Sequence, residues 1–322
     1  MGKPLNERVA LVAGATRGAG RGIARMLGEA GATVYCTGRS SRTPGAAAAN
    51  AVRPETIEET AELVTAAGGT GIPVRVDHTV DDEVKALFER VRGERGRLDV
   101  LAIVMTGKPA SWKTFLQETP ESGRKFVESW IWPHITTAWH AAKLMVPHRS
   151  GLIVELVEQD NVGYHGAFYF DVMETLLKRH VFALANDLGP QGVSAIAVGP
   201  GFMRTEAILD GFGVTEQNWR DALSKPQASA MGWGGSETPC FTGRAVAALA
   251  ADPNVARKNG AIITVRALSE EYGFTDLDGA RPDYAVLDAA VEQAKTTFLA
   301  PMFEGQRSVS VDWRATRKDA KS

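Results

Sequence analysis

The sequence predicts an α/β protein: a doubly wound parallel sheet in a single domain, followed by a C-terminal extension. Three observations carry that reading. The stretch from Arg8 to Arg39 runs as strand, glycine-rich turn, helix and strand. Three β-α repeats follow one another with short connections. Buried-strand runs alternate with helical periodicity as far as Val265.

The first strand is Val9-Ala10-Leu11-Val12-Ala13, and Gly14-Ala15-Thr16-Arg17-Gly18-Ala19-Gly20 follows it directly. Ile23, Ala24, Met26, Leu27 and Ala30 recur at helical spacing, Gly31 stops the helix, and Thr33 to Thr37 is β-branched and apolar like a buried strand. This is the opening βαβ unit of a dinucleotide-binding, Rossmann-type sheet. Gly14 allows a sharp exit from the strand. Gly18 and Gly20 let backbone approach a pyrophosphate and let the helix pack on the sheet, while the helix N-terminus offers free N–H groups to phosphate.

Ser40 to Asn50 is a small-residue stretch expected as a surface loop beside the adenosine end of the cofactor. A helix after Pro54 ends at Gly68-Gly69, Ile72 to Val76 is the third strand, and Asp77 closes it. Val84, Leu87, Phe88 and Val91 mark the next helix, and Leu98 to Val104 the fourth strand. Thr106 to Lys125 reads as loop. A long helix from about Gly123 to His148 contains Pro133, which removes one N–H and predicts a kink or a restart. Gly151 to Val157 is the fifth strand, Phe168 to Leu188 a second long helix, Val193 to Val198 the sixth strand and Ala261 to Val265 the last. The domain is expected over residues 1–265. Residues 266–322 form an extension with an amphipathic helix from Asp283 to Phe298 and a disordered tail from Arg314.

With 322 residues, 44% of them hydrophobic, the chain can bury a substantial core unaided. A net charge of -2 with both signs interspersed argues against nucleic acid or an anionic membrane as partner. Cys36 and Cys240 form no disulfide framework, no His/Cys/Asp/Glu grouping has metal-ligand spacing, and no membrane-length apolar run or signal segment is present. A cytoplasmic protein with a small-molecule substrate is expected.

The Gly-x-x-x-Gly-x-Gly spacing at Gly14, Gly18 and Gly20 resembles that of the short-chain dehydrogenase/reductase family, as does Pro200-Gly201 with Thr205 after the sixth strand. The resemblance covers roughly residues 7 to 206 and more loosely the helix from Ser236 and the final strand. It implies a nicotinamide cofactor. Gly38 stands where an NAD-preferring relative carries an acid, and Arg17 with Arg39 is suited to a 2′-phosphate, so NADP(H) is expected. The cofactor-binding residues implied are Gly14, Thr16, Arg17, Gly18, Gly20, Arg39, Ser40, Asp77, Glu174, Pro200, Gly201 and Thr205. Asp77 stands where the family's acid contacts adenine, although a helix-capping role fits it as well. The family's two long helices commonly pair between subunits, which implies a homodimer or homotetramer.

Four catalytic positions depart from the family pattern. Trp130 falls at the asparagine, Glu158 at the serine, Phe170 at the tyrosine and Glu174 at the lysine. A phenyl ring cannot donate a proton, and glutamate for lysine reverses the charge nearest the nicotinamide. The candidates to replace the acid are Glu158, His165, Tyr169 and Glu174; in an apolar surround Glu158 would have a raised pKa and act as acid or base, against the alternative of a solvated loop charge after the strand. Lys178 is expected to pair with Glu174 one helical turn away. Trp130, Phe170, Phe202, Trp219 and Trp233 are the expected substrate-pocket residues; the last two lie in the segment at about 206–236, with Phe212 and Met231, where the resemblance implies a mobile lid and a partly buried loop packed on the domain fits equally well. Three functions remain open: an NADP(H)-dependent oxidoreductase with a rebuilt site, acting on an imine, an iminium ion or another small metabolite; a non-redox cyclase, dehydratase or isomerase; and an inactive NADP-binding protein.

Overall fold

The computed structural model describes residues 2–42, 53–106, 113–158 and 167–297. The strands are β1 (Val9–Ala13), β2 (Thr33–Gly38), β3 (Thr70–Arg75), β4 (Val100–Ile103), β5 (Gly151–Leu156), β6 (Val193–Gly199) and β7 (Ile262–Thr264). All pair in parallel, in the order β3-β2-β1-β4-β5-β6-β7. The order reverses between β1 and β4, which opens a crevice beyond their C-terminal ends.

The helices are α1 (Gly18–Glu29), α2 (Ile57–Ala66), α3 (Asp81–Arg95), α4 (Pro120–Phe126), α5 (Trp132–Met145), α6 (Phe168–Leu188), α7 (Glu206–Gly211), α8 (Pro226–Ala230), α9 (Pro239–Ala251), α10 (Val265–Tyr272) and α11 (Tyr284–Thr297). Strands β1 and β4 are buried at every position, as continuous apolar runs covered on both faces should be. One face packs Leu11, Leu101, Ile153 and Phe88 with Leu177, and the other packs Val12, Val154, Ile23 and Leu27 with Phe241. Each such side chain contributes about 1.5–3 kcal/mol when fully buried. Pro73 is tolerated because β3 is an edge strand, which needs fewer ladder donors.

Helices α1 and α9 touch backbone to backbone. A Cβ on Gly22 would lie 2.1 Å from the Pro239 oxygen, and one on Gly243 would lie 2.4 Å from the Gly22 oxygen.

Several boundaries differ from expectation. The stretch read as loop up to Lys125 holds a 3-10 turn at Phe115–Gln117 and then α4, three residues earlier than expected. Thr119 starts α4 by accepting the Ser122 amide at 3.2 Å, and Pro120 sits in the first turn, where its missing N–H costs nothing. The break at Pro133 takes the form of a wide π turn, Val127–Ile131, after which the proline falls in the first turn of α5. β3 begins at Thr70, ahead of Ile72. α6 occupies the expected Phe168–Leu188. The loop residues 43–50 and the tail from Arg314 lie outside the described residues, as does the end of the terminal helix at Phe298. No helix of the described residues is long and apolar enough to cross a membrane.

The extension packs on the segment expected to be a lid. A Cβ on Gly235 would meet the Asp283 oxygen at 2.3 Å, and one on Gly232 would lie 3.0 Å from Ala290 and 3.1 Å from Leu287 of α11.

Helix propensity alone favours alanine over glycine by about 1 kcal/mol. At Gly22 the collision with Pro239 reverses that sign, because backbone cannot rotate aside. Gly22→Ala is expected to lose about 1–3 kcal/mol, read as a lower urea midpoint at unchanged slope. A midpoint at or above the parent's would show that α1 and α9 separate freely.

Candidate active site

β1 ends at Gly14, with φ +93°, and α1 opens at Gly18, with φ +54°, conformations that strain any residue with a Cβ. A Cβ on Gly20 would lie 2.0 Å from the Gly14 oxygen, so the N-terminus of α1 is seated directly on the strand exit. The Gly18 amide donates to Glu206 Oε2 at 2.8 Å, and Arg21 Nε lies 3.6 Å from the other Glu206 oxygen. The turn therefore holds an anion supplied by α7, the kind of group that helix N-termini select.

Beyond β2 and β3 the side chains are basic and hydroxylic. Arg17 Nη2 donates to Ser40 Oγ at 3.4 Å, while its buried Nε lies 3.4 Å from Glu55 Oε2 without a hydrogen bond. Half-exposed Arg39 lies 4.0 Å from Asp77 Oδ2. Asp77 accepts the Thr79 amide and hydroxyl at 3.0 and 2.7 Å. Burial would raise the Asp77 pKa, but these bonds and the charges of Arg39 and Arg75 hold it below the usual aspartate value. A Cβ on Gly38 would lie 2.5 Å from Thr16 Oγ1, so a side chain at the end of β2 would have to displace that hydroxyl. The glycine cradle, the under-bonded Arg17 and the absent acid fit a dinucleotide carrying an extra phosphate.

Pro200 and Gly201 follow β6, and Thr205 caps α7 by accepting the Ile208 amide at 3.4 Å. Behind Gly201 lies fully buried Glu237, which accepts the Thr242 hydroxyl at 2.8 Å. Burial pushes its carboxyl up to about 7.

At the end of β5 the Glu158 amide donates to Glu174 Oε2 at 2.7 Å, so these two expected residues meet. Their environments differ. Glu158 is exposed, and Glu174, on α6, is the more buried of the two carboxyls. Burial raises Glu174 to about 7, aided by the Glu158 charge and opposed by the Glu158 amide, Lys178 and His134. Lys178 is buried on the same helix. Tyr169 stacks on Phe126 with centroids 5.6 Å apart, and its hydroxyl lies 2.2 Å from where a Gly123 Cβ would stand. Its phenol is thus lodged against α4. Phe170 packs on Trp130 at 5.8 Å, and Trp130 is buried in the core beside Phe126. His165 lies outside the described residues.

The lid segment has a core of its own. Trp233 is fully buried, donates its indole N–H to the Trp219 carbonyl at 2.9 Å, and packs on Phe212 and Phe202 at 4.7 and 6.0 Å. Buried Arg204 lies 4.0 Å over Trp219 and bonds Glu216 at 2.7 Å and Ser236 Oγ at 2.9 Å. Trp219 and Trp233 are inner residues of the lid, a correction to their expected place on a pocket wall: two indoles bury more area against each other than across open solvent.

The sequence reading missed three features. Glu206 reaches Gly18 across 188 positions, which no local pattern signals. Arg204 is an unremarkable charge until the fold buries it against Trp219. Glu155 did carry a signal, as the lone charge within Leu152-Ile153-Val154-Glu155-Leu156-Val157. It is fully buried and accepts from His134 Nδ1 at 2.7 Å and His180 Nδ1 at 3.1 Å. Among the described residues no group of His, Cys, Asp or Glu is arranged to hold a metal ion.

The family model described as enoyl-(acyl carrier protein) reductase matches residues 14–267. Human dehydrogenase/reductase SDR family member 1 is 33% identical over 304 residues, covering 90% of this chain and 90% of that protein. A short chain dehydrogenase of Mycobacterium thermoresistibile superposes with a TM-score of 0.69 at 17% identity, over 87% of this chain and 95% of its own. YwfH, an NADPH dependent reductase involved in bacilysin biosynthesis, superposes with a TM-score of 0.63 at 22% identity, over 80% and 96%. At these identities the solved structures speak to the fold alone.

The raised Glu174 pKa has a thermodynamic sign. Between the ordinary 4.5 and about 7 the folded chain keeps a proton that the unfolded chain releases, so this group's contribution to stability falls as pH rises through that window. Glu174→Gln is expected to gain about 1–2 kcal/mol on the parent between about pH 5 and pH 8, followed as the difference in urea midpoints. A difference independent of pH would place the carboxylate in water.

Proposed function

The chain belongs to the short-chain dehydrogenase/reductase family, and we propose that it is an NADP(H)-binding oxidoreductase whose catalytic region has been rebuilt around carboxylates. The observation that carries this reading is Glu174. It stands at the place of the family's lysine, is bonded to the Glu158 amide, and has a pKa near neutrality, beside a phenyl ring at the place of the tyrosine. The family binds nicotinamide cofactors. The choice of NADP(H) rests on Arg17, Arg39 and Ser40 at the ends of β1 and β2, and on the absence of an acidic side chain at Gly38. A solved neighbour described as an NADPH dependent reductase is consistent with it.

The cofactor supplies hydride chemistry when bound. This chain's residues supply the rest. Gly18 offers an amide to phosphate, Arg17 and Arg39 offer guanidinium groups to a 2′-phosphate, and Pro200, Gly201 and Thr205 border the nicotinamide end. Glu174 is present near neutrality in both protonation states, so it can give or take a proton where no phenol is available. With Glu158 it favours a substrate that is cationic at the reacting carbon, such as an imine or iminium ion, over a neutral ketone. The same acid-base competence favours a non-redox cyclase, dehydratase or isomerase as the second reading. Trp132, Ile135 and Trp139 of α5 and Leu176 of α6 are exposed, which suits the pairing of these helices in a homo-oligomer.

NADPH binding, followed by nicotinamide fluorescence, tests the first half. Arg17→Ala combined with Arg39→Ala is expected to weaken NADPH about tenfold or more and NADH little. Equal losses for both, or no binding by the parent, overturn the assignment. Consumption of NADPH with an imine panel but not with ketones tests the second half, and turnover independent of cofactor oxidation state selects the non-redox reading. Glu206→Gln, which removes a competing anion from Gly18, is expected to tighten NADPH several-fold in the same titration. Unchanged affinity would show that α7 does not contest the phosphate position.

A further inference from the structure

Beneath the candidate site lies a cluster of buried ionisable groups. Glu155 sits on β5, in register with Ile103 of β4 and Ala197 of β6, with no exposed surface. Its carboxylate is shared between His134 of α5 and His180 of α6, at 2.7 and 3.1 Å. The second nitrogen of His134, Nε2, lies 2.9 Å from the carbonyl oxygen of Met105, two residues past β4. A carbonyl can only accept, and a carboxylate with two histidine partners accepts as well. With Glu155 held ionised, both His134 nitrogens must donate, which makes the ring an imidazolium.

His78 gives the contrast within the same protein. It is equally buried, but its nitrogens face two hydroxyls, Thr37 Oγ1 at 2.8 Å and Thr137 Oγ1 at 2.9 Å. Thr37 donates to the Val12 carbonyl, so it accepts from His78, and Thr137 can donate to the other nitrogen. One proton suffices there, and burial drives His78 down to about 3. For His134 burial works in the same direction, but the Glu155 charge and the two hydrogen bonds overcome it and raise the pKa.

We propose that His134 is a permanently charged positioning residue, which fixes the backbone after β4 through the Met105 carbonyl and sets a positive charge beneath Glu174. The pinned backbone is the same one that faces the cofactor turn, since a Cβ on Gly14 would lie 3.2 Å from the Met105 amide nitrogen. Charge from His134 acts on Glu174 and favours its ionised form. The other groups facing this pair are Glu155 on β5, Glu158 after it, His180 and Lys178 on α6, and His78 after β3. Its bearing on catalysis rests on the proposed role of Glu174, but the charge state of His134 does not.

The first measurement uses the unaltered protein. Ring 15N NMR, with His134 identified through its contacts to Met105 and Glu155, is expected to show two protonated nitrogens near pH 7, and only one for His78. A single protonated nitrogen on His134 near pH 7 overturns the proposal. The second measurement is the titration of a 13C-labelled Glu174 carboxyl in His134→Gln, which keeps a donor but removes the charge. Its midpoint is expected to rise by about one pH unit. A folded variant in which that midpoint stays in place overturns the electrostatic half, because a merely structural histidine would leave it there. Failure to bind NADPH would sink the proposed function while leaving both resonance results intact.

Discussion

Backbone meeting backbone at the first crossover is the constraint on which the rest of this structure depends. Gly20 brings α1 onto the exit of β1, and Gly22 with Gly243 brings α9 onto α1. Contacts this close exclude water and admit no side chain, so the positions of these elements are set by peptide geometry and not by adaptable rotamers. The crevice that opens where the sheet order reverses inherits that rigidity. So does the Gly18 amide, held where an anion must come to it.

Charge inside the molecule is distributed by the same economy. A buried ionised group is costly unless paired and hydrogen-bonded, and the buried charges meet that demand in different ways. Glu155 is satisfied by two imidazoles, and Arg204 by Glu216, Ser236 and the face of Trp219. Glu237 and Glu174 have fewer compensations and are pushed towards neutral pH instead. Two carboxyls of one sequence thus have opposite characters, Glu155 held ionised and Glu174 poised to change state, because one has an imidazole on each oxygen and the other mainly an amide.

The sheet was legible because its central strands are buried on both faces and read as unbroken apolar runs, and because the turn at Gly14 to Gly20 needs residues without side chains. α6 was legible to the residue. The stretch before α5 was not, since a proline in a helical pattern predicts a break but not its form, and the π turn at Val127–Ile131 depends on packing. The candidate site was half legible. Glu158 and Glu174 could be placed by counting along the chain, yet which of them is buried is a tertiary fact. Trp219 and Trp233 read equally well as pocket or core, and only their mutual packing decides for core. Glu206 stayed invisible because its partner is a backbone amide far away in the sequence.

The seating of α11 on Gly232 and Gly235 has a dynamic consequence. Displacing the lid outward would draw Leu287 and Ala290 away from the glycines they rest on and expose apolar area to water. Any outward movement of residues 206–236 would therefore cost the burial of apolar side chains that belong to the chain's terminal helix.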